Sequence, residues 1–251
     1  MRLRPTLIAG LSALAALGVA SCGGSSSQVL VRVDGVGTVT RSSLQHWMRV
    51  EAVLTHELIP TRPAPAGVLP DPPGYSACIA YLKQAAAKLG QSPAQLTHSA
   101  LKTRCSQAEH ELEMGTLSKL ISWYWTIGRG ESLGIQVSDA QVRHRLAEVI
   151  SAGTLYGKNF NRYLELTGES RADILLRSRV QAYEVQISSR ALKLVSTLPK
   201  SLSESQRQDW VNALNETVVK TWRAKTTCST GYVVSSCKQY RGSEQPLGAA
   251  T

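Results

Sequence analysis

Three serines stand three positions ahead of a Gln or an Asp just before a run of apolar periodicity: Ser138 with Gln141, Ser170 with Asp173, and Ser203 with Gln206. At that spacing the two side chains can each accept a hydrogen bond from the other residue's amide, so each pair marks the start of a helix. Apolar residues at helical spacing follow every one of them: Val142, Leu146 and Val149; Leu176, Val180, Tyr183 and Ile187; Val211, Leu214, Val218 and Trp222. Side chains three and four apart share one helix face. The chain must therefore bury several amphipathic helices against one another, and a mostly α fold is expected.

The same pattern extends upstream. Cys78, Ile79, Leu82, Ala86 and Leu89 form one stripe that Gly90 stops, and Ser92 with Pro93 offers a new start. A longer helix is expected through Cys105, Ala108, Leu112, Leu117, Leu120, Ile121 and Trp125, ending at Leu133 and Gly134, and a short one around Phe160, Tyr163 and Leu164. Near the beginning, Val29, Val31 and Val33 alternate with Leu30 and Arg32, the period of a strand. Asp34 and Gly35 supply a turn before a second extended piece at Thr38 and Val39. Thr40 can then cap a helix bearing Leu44, Trp47, Met48, Leu54 and Leu58, which Pro60 ends. Six of the ten prolines lie within 60–73, a stiff irregular connection.

The first residues, Met1, Arg2, Leu3 and Arg4, precede an apolar run over 7–20, a basic head and apolar core of signal-peptide length. The run is too short to span a bilayer comfortably. It ends in Val19, Ala20, Ser21 and Cys22, which resembles the lipobox of bacterial lipoproteins, where the Cys is lipidated and becomes the new N-terminus. Gly23, Gly24, Ser25, Ser26 and Ser27 follow as a flexible leash. The expected organisation is a signal peptide at 1–21, a tether at 22–28, one helical domain at 29–240 and a disordered tail at 241–251. The protein is expected on the outer face of the cell membrane, held by lipid on Cys22.

Lys and Arg outnumber Asp and Glu by 28 to 18, a formal charge of +10. The cations are scattered, with no Lys/Arg run as long as four, so nucleic acid is not an expected partner. An exported chain would meet an anionic envelope surface instead. Beyond Cys22 the cysteines are Cys78, Cys105, Cys228 and Cys237, an even number suited to an oxidising compartment. Three pairings are possible. Proximity favours Cys78 with Cys105 and Cys228 with Cys237, worth about 3 to 4 and roughly 2.5 to 3 kcal/mol by chain entropy.

Two stretches resemble the N-terminal chaperone domain of SurA-type and PrsA-type foldases. Val33, Asp34 and Gly35 ahead of Val39 and Thr40, with Leu44 opening the helix, are similar to that family's strand, turn and helix. The run from Leu133 and Gly134 through Ser138, Gln141 and Val142 is similar to its helix stop, extended link and capped helix, followed in order by Phe160, Tyr163, Leu164, Gly168 and Asp173. The resemblance implies a helical cradle, with a small β element near the two chain ends, that holds unfolded or nascent exported polypeptides. Full foldases insert a prolyl isomerase domain of about a hundred residues before the last cradle helix, a domain-sized unit. Here only 191–201 separates the helix of Ile187 from that of Trp210, and no catalytic domain fits.

No other constellation of catalytic type stands out. His46, His56, His98, His110 and His144 are dispersed, and no Gly-x-Ser-x-Gly elbow occurs. His98 and His110 flank Cys105, but a disulfide accounts for that thiol better than a nucleophile does. No catalytic residue, cofactor or metal is expected. Trp123 and Trp125 stand two apart and point to different helix faces, so one should border a groove. Trp47, Trp123, Trp125 and Phe160 are the expected client-binding residues. The alternatives are a ligand-binding or cell-wall-binding lipoprotein and, by family membership, a prolyl isomerase. At the C-terminus, 232–234 is expected to add as a strand to Val29–Val33, held extended by the Cys228–Cys237 bridge.

Overall fold

The first strand pairs on both sides. In the computed structural model, which describes residues 28–90, 96–153 and 159–242, β1 (Val29–Val33) lies between β2 (Gly37–Thr40) and β3 (Thr226–Cys228), all antiparallel. The signal peptide, Cys22, the tether, the Ser92–Pro93 helix start and the tail beyond Gly242 lie outside the described residues. A register shift between Val29 and Val31 breaks the alternation read from sequence. Leu30 is consequently buried along with Val31 and Val33, while Val29 is exposed.

Seven helices follow among the described residues, so the mostly α expectation holds: α1 (Arg41–His56), α2 (Ser76–Lys88), α3 (His98–Ser132), α4 (Asp139–Ala152), α5 (Phe160–Thr167), α6 (Arg171–Ser196) and α7 (Glu204–Ala224). Ser138, Ser170 and Ser203 cap α4, α6 and α7 in reciprocal boxes with Gln141, Asp173 and Gln206. Thr40 does the same for α1 with Ser43. α1 stops at His56, before the proline, and Leu58 falls beyond it at 75 % exposure instead of joining the apolar face. Glu57 is already extended and its carboxylate accepts from the Thr61 amide and hydroxyl, so the local bonds favour a turn over another helical turn.

α3, about 50 Å long at 1.5 Å per residue, is the spine. Its Leu117, Leu120 and Ile121 share the main core with Leu44, Trp47 and Val50 of α1 and Leu30, Val31 and Val33 of β1. Two glycines let neighbours approach it: a Cβ on Gly128 would stand 2.4 Å from the Trp222 ring, and one on Gly130 2.1 Å from that of Tyr183. Cys78 and Cys105 are bonded, tying α2 to α3. Cys228 and Cys237 are bonded as well.

One tertiary expectation is corrected. The strand added to β1 is Thr226–Cys228, not 232–234. Thr226 emerges directly from α7, its hydroxyl donating to Trp222 O and accepting from Trp125 Nε1, so pairing begins at once. The loop that follows turns back, with Tyr232 N donating to Ser229 O, and buries Val234 and Cys237 in the main core. The stripe of α7 docks at its C-terminal end, where Trp222 is buried and half-buried Val218 packs against the main core, while Trp210 and Leu214 are half-buried.

Candidate functional site

α1 is short and α3 is long, so the C-terminal half of α1 crosses α3 with open space on either flank. On one flank lies a cavity of about 570 Å³ between Ala52, Thr55 and His56 of α1, Leu112 and Thr116 of α3, and the proline-rich loop. Val68 and Pro70 of that loop and Tyr81 of α2 form its outer wall. The wall is held in place by backbone contact: a Cβ on Gly67 would stand 2.2 Å from Ala77 O, so the loop lies directly on α2.

On the other flank a cavity of about 440 Å³ opens between α1, α3 and α6, bordered by Leu54, Leu58, Trp123, Arg177, Val180 and Glu184. Glu51 and Thr55 line both cavities, so the two arms of this trough flank the same turn of α1. Between the arms both Glu51 carboxylate oxygens accept from Lys119 Nζ at 2.7 Å. This half-exposed pair pins α1 to α3.

The supports of the trough are polar but matched. The Glu169 carboxylate, fully buried, accepts from Arg177 at 2.6 Å and from the Tyr163 hydroxyl at 2.8 Å. Burial, then the adjacent carboxylate, pushes the Tyr163 phenol far above its usual range. Asp173, which caps α6, also meets His46 Nε2 of α1 at 3.0 Å. Burial works against its charge, yet hydrogen bonds from Ser170 and His46 hold it below the usual carboxylate range. Thr116 is the exception, its buried hydroxyl oxygen having no hydrogen-bond partner among the described residues.

Of the expected client-binding residues, the structure brings only Trp123 to this trough. Trp47 is 4 % exposed and meets Trp123 edge-on with ring centroids 4.8 Å apart; it supports the wall from within the core. Phe160 is also buried, under the Arg171 guanidinium, in the cluster that joins α4, α5 and α6. Both are corrected to core residues, because a face packed on neighbours is closed to a client. Trp125 is half-buried and bonds into β3, so of the pair two apart it is Trp123 that borders the groove.

Sequence reasoning missed Asp71. The N-cap residue of α2, Tyr75, has a left-handed backbone and offers no side-chain cap. Asp71 substitutes for it, its carboxylate accepting from the amides of Ala77 and Cys78 at 3.0 Å and from Ser76 Oγ at 3.1 Å. The residue stands five and more positions ahead of its partners, outside the three-residue spacing by which the other caps were recognised.

The arrangement is thus a helical body with a small three-stranded sheet and an open trough whose lining mixes apolar side chains such as Leu54, Leu58, Trp123 and Val180 with charged ones such as Glu51, Glu111, Arg177 and Glu184. Compared with known proteins, the chain matches no family model, no curated protein and no solved structure. No helix of the described residues is long and apolar enough to cross a membrane.

Proposed function

We propose that the protein is a lipid-anchored chaperone of the cell envelope, a foldase-like lipoprotein that holds unfolded exported polypeptides in the trough across α1. The observation that carries this reading is the trough itself. Two arms that flank the same turn of α1 suit an extended segment better than a single compact ligand, and Leu58 and Trp123 offer apolar surface at the edge. Anchoring through Cys22 would place it on the outer face of the membrane, where such clients emerge. The SurA-like and PrsA-like order of motifs agrees with this function. No parvulin-type unit fits between α6 and α7, so the reading rests on binding, and a prolyl isomerase is the alternative that the refolding assay decides.

The test uses the soluble form beginning after Cys22. Near stoichiometric amounts are expected to suppress aggregation of several unrelated unfolded proteins, and Leu58→Asp to weaken that suppression while leaving the thermal melt unchanged. Failure to protect any client would overturn the reading, as would catalytic acceleration of proline-limited refolding. Mass spectrometry of the membrane fraction should find Cys22 acylated at a new N-terminus. A second reading, a small-ligand or wall-binding lipoprotein, is favoured by one observation: Glu51, His56, Tyr81 and Glu111 converge on the first arm. Saturable binding of one glycan or small molecule, without aggregation suppression, would select it.

A further inference from the structure

A second groove lies away from the trough, where α7 leaves the body of the protein. It has a volume of about 280 Å³ and runs between α6, α7 and the end of α3. α6 contributes Ile187, Ala191 and Leu194, and α7 contributes Leu214, Val218 and Trp222. Leu133 and Leu194 are 43 % and 47 % exposed at its mouth. The hydroxyl protons along it are already engaged: Ser132 Oγ donates to Arg129 O, Thr217 Oγ1 to Ala213 O, and Thr221 Oγ1 to Thr217 O, each at 2.8 Å. With its hydroxyls turned back onto their own helices, the groove is apolar in effect.

Its rim is charged with one sign. Arg129 and Arg190 line it, no carboxylate does, and neither arginine is in an ion pair among the described residues. Arg190 instead donates to Leu133 O, which holds its guanidinium at the mouth. An apolar floor between two helices, bordered by unpaired guanidiniums, complements an apolar stripe flanked by carboxylates. The chain's formal charge of +10 disfavours a second copy as occupant. A bilayer surface is disfavoured by shape, because it cannot enter a concave cleft between helices.

We infer that the α6/α7 groove docks an amphipathic helix of a partner protein, with apolar anchors at i, i+3 or i+4, and i+7 and acidic residues beside them. The site goes beyond the chaperone reading and does not depend on it. The groove would couple the cradle to one folded or folding partner while the trough remains open.

The experiment measures fluorescence anisotropy of two labelled peptides against the full chain in neutral detergent. One peptide has a leucine face flanked by glutamates; the other is identical but flanked by lysines. The acidic peptide is expected to bind and the basic one not to. Leu194→Asp and Leu214→Asp should each weaken binding roughly tenfold, the loss typical of an anchor contact. Both are half-exposed, so circular dichroism should show an unchanged fold. Arg129→Glu combined with Arg190→Glu should invert the peptide preference, and should that pair misfold, Arg129→Gln alone should narrow it. Leu58→Asp, in the trough, should leave peptide binding as it is, which separates this site from the chaperone function. The inference is overturned if both peptides bind alike or the Asp variants bind as the parent does. It is equally overturned if a self-associated form disappears in Leu214→Asp, or if anionic phosphatidylglycerol vesicles, and not the peptide, respond to the groove variants.

Discussion

At the scale of single residues, two side chains behave unlike their types. Thr116 buries a hydroxyl oxygen without a partner among the described residues, where other threonines of the chain, such as Thr217 and Thr221, bond their own helix backbone. An unsatisfied buried hydroxyl costs about 1 to 3 kcal/mol. Thr116→Val keeps the shape and removes the polar atom, so a higher melting temperature is expected by calorimetry. Asp71 works the opposite way, as an exposed carboxylate that a helix start depends on. The Ala77 amide first, then that of Cys78, holds its pKa below the ordinary value. The stabilisation is complete above the ordinary carboxylate pKa and is lost as pH falls through the lowered one. Hydrogen exchange at the Ala77 and Cys78 amides should quicken over that acid range, and Asp71→Asn should remove much of the pH dependence.

At the scale of elements, the capped helix starts were legible because capping is local. Ser138, Ser170 and Ser203 needed only residues three positions away. The ends were less so: Leu58 continued the α1 stripe in sequence but lies beyond the helix, where Glu57 and Thr61 form a turn. β3 was misplaced for a related reason. Residues 232–234 have the stronger β propensity, yet Thr226–Cys228 emerge from α7 beside β1, and position outweighs propensity. The outer edge of β3 is covered by Lys238 N donating to Thr226 O and by the Gln239 side chain, which bonds both Cys228 N and O. Gly130 shows the same dependence on neighbours within α3. Gly130→Ala would raise helix propensity by roughly 1 kcal/mol, but its Cβ would collide with the Tyr183 ring. Overpacking of about 1 to 3 kcal/mol should win, and a lower denaturation midpoint is expected.

At the scale of the whole molecule, the two chain ends close one core. Asp34 N donates to Lys225 O, Ser229 N to Leu30 O, and Trp222 belongs to the same buried core as Leu30, Val33 and Leu120. Trp222→Ala should therefore cost about 3 to 5 kcal/mol, read from a urea melt, and should loosen β1 and β3 together in hydrogen exchange. Trp210, on the same stripe, touches less and should cost far less. What the sequence by itself determined is the helical class, the capped starts and the N-terminal hairpin, because each rests on contacts between residues near in the chain; proximity favoured the cysteine pairs, and the structure decided among the three possible pairings. Only the tertiary structure decided which aromatic residues reach solvent. Trp47, Trp123, Trp125 and Phe160 are alike in composition and spacing, but one lines the trough, one bonds to a strand from the far end of the chain, and two lie in cores. That sorting depends on where α1, α3 and α6 cross, and crossing geometry is set by contacts among residues more than a hundred positions apart, as His46 of α1 meeting Asp173 of α6 shows, which no local pattern encodes.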